Sequence, residues 1–269
     1  MRIPFLRRPP RVALLRLSGL IAARGGSPLA GGSLNDAATG PLIERAFAQK
    51  RLAAVVLVIN SPGGSPVQSA LIANRIRRLA DEKKVPVIAC VEDAAASGGY
   101  WIACAADEIV ADAASILGSI GVISASFGLE GAMRRLGVER RLRTAGGEKS
   151  FLDPFRPEEP ADVARLETLL GNLHDEFKTW VRARRGTRLK GEEDALFSGR
   201  FWTGRDAVAN GIADTLGDAQ GLIRQRFGKA ARVIPIGPRR PPIPYRWLPG
   251  VEQLAAAVEE RAAWARLGL

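Results

Sequence analysis

Ser97 is the residue whose surroundings most resemble those of a nucleophile. It follows a predicted apolar strand, Val85–Val91, and precedes a predicted helix of small residues. A helix N-terminus has a partial positive charge that favours a developing anion, and Gly98 and Gly99 allow the backbone to approach a substrate. The same position suits a simple N-cap, and Ala95 replaces the first glycine of a nucleophile elbow. The local pattern therefore leaves both interpretations open.

A serine nucleophile needs a base, and His174 is a poor candidate for it. Asp175 is its direct neighbour on a predicted long helix, where adjacent side chains point about 100° apart, so we expect a structural histidine. Arginine stays protonated, which leaves seven lysines. Lys149 differs from the others because Phe151 and Leu152 follow it in a Gly-containing loop. If it is buried there, part of the amine is neutral and can accept a proton; otherwise it is a solvent-facing loop lysine.

The motif Ser-Pro-Gly-Gly at residues 61–64 could stabilise an oxyanion. It follows an apolar run, Ala54–Asn60, that predicts a strand buried on both faces. Sites in open α/β sheets lie beyond the carboxyl ends of the strands, and the amides of Gly63 and Gly64 could point at developing negative charge. An ordinary strand-to-helix turn is the alternative.

The elements around these groups predict an α/β fold with a parallel sheet and flanking helices. A strand at Ala54–Asn60, a helix with Ser65 as N-cap and Pro66 in its first turn, and a strand at Val85–Val91 form a parallel crossover unit. Further predicted strands are Val12–Ile21, Glu108–Ala111, Gly121–Ser124, Val138–Arg143 and Arg232–Ile236; further predicted helices are Pro41–Lys50, Phe127–Leu136, Glu158–Arg185 and Ala219–Phe227.

The predicted domain organisation has four parts. Residues 1–11 form a basic tail, 12–236 a single catalytic domain, 237–250 a Pro-rich linker and 251–269 a C-terminal amphipathic helix. No stretch is long and apolar enough to predict a membrane span.

Composition excludes several function classes. The 269 residues, 46% hydrophobic and 25% charged, are typical of a globular protein. Two cysteines and one histidine cannot build a disulfide framework or a zinc site, and we interpret Cys90 and Cys104 as packed core residues. The net charge of +11 is interpreted as a solvated arginine-rich surface, because no nucleic-acid-binding motif accompanies it.

Four motifs in order resemble peptidase family S49, the signal peptide peptidase A family. They are SPGGSP after a hydrophobic strand, AASGGYWIACAADEIVAD, LGSIGV and GEKSFLDPF, and the similarity extends over about residues 12–236. The resemblance implies a fold like those of Clp protease and the crotonases. It also implies that Ser97 is the nucleophile, Lys149 the general base and Ser119 the residue that orients the lysine, with the amides of Gly64 and Gly98 as the oxyanion hole.

The resemblance further implies a serine endopeptidase with a Ser-Lys dyad that needs no metal and no cofactor. Its substrates would be signal peptides or other extended, apolar or misfolded segments, with Gly63 and Tyr100 contacting them. We expect a homo-oligomer with the active site shared between subunits. We also expect a cytoplasmic location or peripheral association with an anionic membrane, and no nucleic acid partner.

Two other functions remain open from the sequence. A crotonase-type acyl-CoA enzyme would use the same glycine amides with carboxylates such as Glu92, Asp93 or Glu108. A catalytically inactive scaffold on the same fold is the other alternative.

Overall fold

The computed structural model describes residues 9–23, 33–237, 258 and 260–269. These residues fall into two compact units. The first contains the described residues up to Gly121 and those from Lys178 onward, and we call it the sheet unit. The second is Val122–Phe177, which we call the insert unit.

Eight strands and eight α-helices lie within residues 9–23 and 33–237 of the described chain. The strands are β1 (Arg11–Ser18), β2 (Leu52–Ser61), β3 (Val87–Ala96), β4 (Glu108–Ala111), β5 (Ile116–Gly118), β6 (Phe201–Thr203), β7 (Thr215–Leu216) and β8 (Arg232–Ile236). The helices are α1 (Asp36–Phe47), α2 (Pro66–Lys83), α3 (Gly98–Ala103), α4 (Glu130–Leu136), α5 (Pro160–Arg185), α6 (Glu193–Leu196), α7 (Gly204–Ala209) and α8 (Ala219–Phe227).

The strands form one mostly parallel sheet in the order β6-β5-β3-β2-β1-β8. Strand β4 pairs with the first part of β3, and β5 pairs with its last three residues. Only β6 runs antiparallel to its neighbour among the described strands. The parallel pairing of β1, β2 and β3 confirms the predicted α/β fold.

Strand β2 lies at the centre of the core. Its residues from Ala54 to Ile59 are at most 3% exposed, which confirms a strand buried on both faces. Val56 and Val58 pack on one face against Leu222 and Ile223 of α8. Burying such side chains contributes about 1.5–3 kcal/mol each, so this strand is a main source of stability for the sheet unit.

Local sequence signals set the ends of α2. The side chain of Ser65 accepts a hydrogen bond from the N–H of Gln68, and Pro66 occupies the first turn, as predicted. The helix ends at Lys83, and the left-handed backbone of the next residue, Lys84 (φ 52°), caps it.

A buried ion pair joins α5 to the segment before β7. The guanidinium of Arg185, 2% exposed, donates two hydrogen bonds to the carboxylate of Asp214 and two to the carbonyl of Gly211. Burial by itself raises the pKa of Asp214, but hydrogen bonds from Arg185 and from the Ile109 N–H hold that pKa below its ordinary value. The two charges are therefore paired, and four of the five guanidinium N–H groups have acceptors.

Two predicted strands are wrong. Neither Gly121–Ser124 nor Val138–Arg143 is in a strand; the first stretch is half exposed and half partly buried, and the second is exposed throughout. The helix predicted over Phe127–Leu136 begins only at Glu130, and it buries none of its residues. Parallel or antiparallel pairing is what stabilises a strand, and an alternating apolar pattern does not supply a partner.

Part of the predicted termini lies outside the described residues. This applies to residues 1–8 of the basic tail, to 238–250 of the linker, and to 251–257 and 259 of the C-terminal segment. Residues 258 and 260–265 are helical. The predicted domain limits therefore stay predictions. In the described part of the chain, none of the helices is both long and apolar enough to cross a bilayer.

Candidate active site

Ser97 stands where the last strand residues of β3 turn into α3. Its backbone is left-handed (φ 50°, ψ −118°), a conformation that costs a non-glycine residue about 1–3 kcal/mol. The sheet holds this strain, because the Ser97 N–H donates to the carbonyl of Gly118 at 2.8 Å and its carbonyl accepts from the N–H of Trp101 at 3.0 Å. The side chain is half-buried, and within the described residues its hydroxyl has no hydrogen-bond partner. Ser97 is therefore not a side-chain N-cap.

The Gly63-Gly64 turn follows β2 and lies beside Ser97. Both glycines have positive φ (105° and 139°), which favours glycine. The Gly63 carbonyl accepts from the N–H of Ile21 at 2.8 Å, and the Ile21 carbonyl accepts from the N–H of Ser65 at 2.7 Å. In a trans peptide the N–H and C=O point in opposite directions, so the Gly64 N–H points away from Ile21.

Close approaches bring this turn against the start of α3. A Cβ on Gly63 would lie 2.8 Å from the Cβ of Ser97 and 3.0 Å from the nitrogen of Gly98. A Cβ on Gly98 would lie 3.4 Å from the nitrogen of Gly64. Neither the Gly64 nor the Gly98 N–H has a hydrogen-bond acceptor among the described residues. Two unused donors next to a serine hydroxyl are the arrangement that stabilises an oxyanion.

Ser119 directly follows the residue that binds the Ser97 backbone. It has a left-handed backbone (φ 52°), and its N–H donates to the carbonyl of Arg200 at 2.8 Å. The ring of Trp202 packs on the preceding glycine, since a Cβ on Gly118 would lie 2.9 Å from the Trp202 Cδ1 atom. The pairing of β5 with β3 and β6 therefore places Ser119 near Ser97, and the role of its hydroxyl stays a prediction.

Lys149 belongs to the insert unit. It lies in a turn in which its N–H donates to the carbonyl of Gly146 at 3.3 Å. Its side chain is exposed, and no carboxylate lies within ion-pair distance among the described residues. The burial that the sequence analysis required for a neutral amine is therefore not supplied by the described part of the insert unit. The assignment of Lys149 as base stays a prediction.

Tyr100 does not fit the predicted contact with substrate. It is completely buried, and its hydroxyl donates to the carbonyl of Ile212 at 2.9 Å. Burial raises the pKa of its hydroxyl well above the ordinary value. Position 100 of α3 faces the core, so we interpret the Tyr100 side chain as a core packing residue. Gly63, in contrast, lies against Ser97, and its contact with substrate stays a prediction.

The remaining titratable candidates occupy structural positions. Burial raises the pKa of both thiols, Cys90 and Cys104, to about 12, consistent with packed cysteines rather than reactive ones. His174 is half-buried on α5. The carboxylates weighed for acyl-CoA chemistry are also engaged, Glu92 with Arg16, Asp93 with Asn60 and Glu108 with Arg226.

The sequence analysis missed two residues that shape the site, Ile21 and Ser61. Ile21 holds both sides of the Gly63-Gly64 turn from the end of β1. Ser61 is fully buried under the same turn. The signal for Ser61 was its place at the start of the SPGG motif, whereas no local pattern indicates Ile21, because its contact depends on the pairing of β1 with β2.

Comparison with known proteins adds relatives to this geometry. The chain is 46% identical over 275 residues to a Brucella abortus protein named Na(+)/H(+) antiporter NhaA, a match that covers 96% of this chain and 37% of that protein. It is 30% identical over 240 residues to Protease 4 of Haemophilus influenzae, covering 86% and 38%. It is 34% identical over 169 residues to the chloroplastic serine protease SPPA of Arabidopsis thaliana, covering 62% and 24%. The chain thus spans well under half the length of these curated relatives.

Solved structures share the fold. A variant of the 1510-N membrane-bound stomatin-specific protease superposes with a TM-score of 0.51 at 15% identity, covering 86% of this chain and 99% of that one. A second variant of that protease, in complex with a substrate peptide, gives a TM-score of 0.50 at 14% identity. The expected Clp protease-like fold is confirmed.

The family follows from the sequence itself. A model of the family described as Peptidase family S49 matches residues 79–231, which is more than half of the 269 residues and includes Ser97, Ser119 and Lys149. The chain belongs to peptidase family S49.

Proposed function

We propose that the chain is a serine endopeptidase whose nucleophile is Ser97. The observation that supports this most is the unpartnered Ser97 hydroxyl beside the two N–H groups of Gly64 and Gly98, which have no acceptor among the described residues. Structural serines at helix starts cap the helix, and this one does not. A left-handed, strained residue at this place is a common feature of catalytic sites.

The proposed reaction is acyl transfer through a Ser-Lys dyad. The neutral amine of Lys149 accepts the hydroxyl proton of Ser97, and the Ser97 oxygen attacks the carbonyl carbon of the scissile peptide. The N–H groups of Gly64 and Gly98 stabilise the oxyanion, and Lys149 returns the proton to the leaving amine. Water, deprotonated by the same amine, then attacks the acyl carbon, the bond to the Ser97 oxygen breaks, and Lys149 returns the proton to that oxygen. Ser119 would accept or donate a hydrogen bond to orient the lysine.

We propose that assembly completes this dyad. A lysine acts as a base only where burial favours its neutral form, yet Lys149 is exposed. Large apolar side chains of the insert unit are also exposed, among them Phe127 (84%), Leu136 (77%) and Ile123 (71%). A homo-oligomer that covers the insert unit would bury both, and a base and a nucleophile from different subunits are consistent with this.

The proposed substrates are extended peptides with small or aliphatic side chains, including signal peptides. The protease names of the Haemophilus and Arabidopsis relatives support peptide hydrolysis. We further propose that the protein works in the cytoplasm or at the surface of an anionic membrane. The antiporter name of the Brucella protein gives no second candidate, because this chain matches only 37% of it.

The acyl-CoA alternative loses support from the sheet geometry. Glu108 is the first residue of β4, which runs parallel to β3. It therefore lies at the amino ends of the strands, whereas Ser97 follows the carboxyl end of β3. Glu92 and Asp93 are held by Arg16 and Asn60.

Labelling with a fluorophosphonate probe tests the proposal. The Ser97 oxygen bonds to phosphorus, fluoride leaves, and the hydroxyl proton goes to the base. We expect one labelled residue per chain, Ser97, identified by peptide mass spectrometry, and no labelling of Ser97→Ala or of heat-unfolded protein. Folded protein that stays unlabelled, or that is labelled elsewhere, would contradict a serine peptidase.

A further inference from the structure

Ser61 is the last residue of β2 and lies directly under the proposed oxyanion hole. It is completely buried. Its hydroxyl donates to the carbonyl of Gly19 at 2.7 Å and accepts from the N–H of Gly63 at 3.2 Å. The hydroxyl thus uses its one donor and one of its two acceptor lone pairs, and in doing so it bridges Gly19 and Gly63.

These bonds complete the restraint of the Gly63-Gly64 turn. The N–H of Gly63 binds the Ser61 hydroxyl, the carbonyl of Gly63 binds Ile21, and the N–H of Ser65 binds Ile21. Of the backbone N–H groups of residues 63–65, that of Gly64 has no acceptor among the described residues. Each neighbouring peptide plane is held, so the direction of that free N–H is set.

Ser61 also contacts the start of α3, which contributes the Gly98 N–H to the proposed oxyanion hole. A Cβ on Gly99 would lie 2.7 Å from the Ser61 carbonyl oxygen and 3.2 Å from its Cβ. Ser61 is also in register with Ala95 of β3, two residues before the nucleophile. It thus touches both the turn that presents the Gly64 N–H and the segment that presents the Gly98 N–H.

We propose that Ser61 is a positioning residue for the hydrolytic reaction. Its hydroxyl holds the Gly63-Gly64 turn so that the Gly64 N–H points at the developing oxyanion. This rests on the proposed peptidase function. Misalignment of one oxyanion donor affects the acylation step, in which negative charge develops, more than it affects ground-state binding.

The rate of labelling by a fluorophosphonate probe separates these two steps. We expect Ser61→Ala to lower the maximal labelling rate by about 10- to 100-fold and to leave the half-saturating probe concentration nearly unchanged. Ser115→Ala is the matched control. Ser115 is a buried serine whose hydroxyl lies within hydrogen-bond distance of the carbonyls of Glu92 and Val91 on β3, and among the described residues no hydrogen bond joins it to the Gly63-Gly64 turn. It should lose thermal stability as Ser61→Ala does and keep the labelling rate.

A second pair of variants keeps the test informative if Ser61→Ala fails to fold. Ser61→Thr retains the hydroxyl, and Ser61→Val has nearly the same shape without it. We expect Thr to label at least tenfold faster than Val, with faster amide exchange at Gly63 in Val alone. Equal rates and equal exchange in Thr and Val, or equal rates in the Ser61 and Ser115 alanine variants, would overturn the role of Ser61. Absence of labelling in the folded wild type would instead overturn the peptidase proposal itself.

Discussion

The sheet unit and the insert unit differ in how well their candidate site residues are held by hydrogen bonds and burial. In the sheet unit, Ser97, the Gly63-Gly64 turn and Ser119 are each held by backbone hydrogen bonds to neighbouring strands. In the insert unit, Lys149 is exposed and α4 buries none of its residues. The proposed nucleophile and the proposed oxyanion donors are therefore held in place within the described sheet unit, whereas the proposed base, Lys149, is exposed. This difference is the reason for our proposal that an assembly covering the insert unit completes the site.

The strongest test of this contrast removes one group from each unit. We expect Ser97→Ala to abolish peptide hydrolysis, and Lys149→Ala to lower its rate by about 10²- to 10⁴-fold, the usual contribution of a general base. Lys149→Arg should be as inactive, because it keeps the charge but cannot act as a base. Hydrolysis of a fluorogenic peptide measures all three, with circular dichroism to confirm folding.

Mixing the inactive variants tests where the base comes from. Co-refolded Ser97→Ala and Lys149→Ala chains should recover part of the activity if neighbouring subunits share a site. No recovery, in an assembly shown to contain both chains, would place the dyad within one chain.

Ion pairs should also differ between the two units. Asp214→Asn leaves the Arg185 guanidinium buried without its counter-charge, so we expect a loss of about 3–5 kcal/mol in the free energy of unfolding. Glu148→Gln breaks the exposed pair with Arg165 in the insert unit, and we expect a change within about 0.5 kcal/mol. Chemical denaturation measures both. Similar losses would contradict the contrast.

Glycine substitutions should separate the units in the same way. A Cβ on Gly64 would lie 2.0 Å from the carbonyl oxygen of Ile21, and Gly64 has positive φ, so Gly64→Ala should cost about 3 kcal/mol or more. Gly131 in α4 has open space around it, and Gly131→Ala should gain up to about 1 kcal/mol from helix propensity. Thermal melts of the two variants give the comparison. A Gly64→Ala variant as stable as wild type would show that the Gly63-Gly64 turn can shift to accommodate the added Cβ.

Acid should weaken the sheet unit through Asp214. Its pKa is lowered in the folded state, so the stability that it contributes is present above its unfolded pKa of about 3.9 and is lost as the pH falls through the lower folded value. We expect the difference in unfolding free energy between wild type and Asp214→Asn to shrink below about pH 4. A difference that grows with acid would contradict this sign.

The smallest expected effect concerns the strain at Ser97. Glycine adopts positive φ freely, so Ser97→Gly should be more stable than Ser97→Ala by about 1 kcal/mol, although both are inactive. Denaturation midpoints of the two variants measure this. Equal stability would mean that the backbone of Ser97 relaxes when its hydroxyl is removed.

How far the sequence predicts the fold depends on where the stabilising contacts lie. The run Ala54–Asn60 and the Ser65-Pro66 helix start are local signals, and both are confirmed. The strand predicted to end at Val91 continues to Ala96, because the Asn60 side chain binds both Asp93 and the N–H of Ala94 where the β2–β3 register shifts. That contact joins residues 33 and 34 positions apart, so no local window reveals it.

The site follows the same rule. The serine and the glycines could be chosen from motifs, because a turn with positive φ requires glycine there. The sequence left Lys149 open between a buried amine beside Phe151 and Leu152 and a solvent-facing loop lysine, because neighbours in sequence do not by themselves bury a loop side chain; its side chain is exposed. The contact of Tyr100 with substrate was expected from the family resemblance, whereas its hydroxyl donates to the carbonyl of Ile212, 112 positions away.

The two hydrogen bonds between Ile21 and the Gly63-Gly64 turn have a consequence for refolding. The turn acquires its final shape only after the end of β1 has docked beside β2, and long-range parallel pairing is a slow event. Labelling of Ser97 by a serine-directed reagent during refolding would therefore report when the pairing of β1 with β2 is complete. We expect this labelling to appear later than the recovery of helical ellipticity.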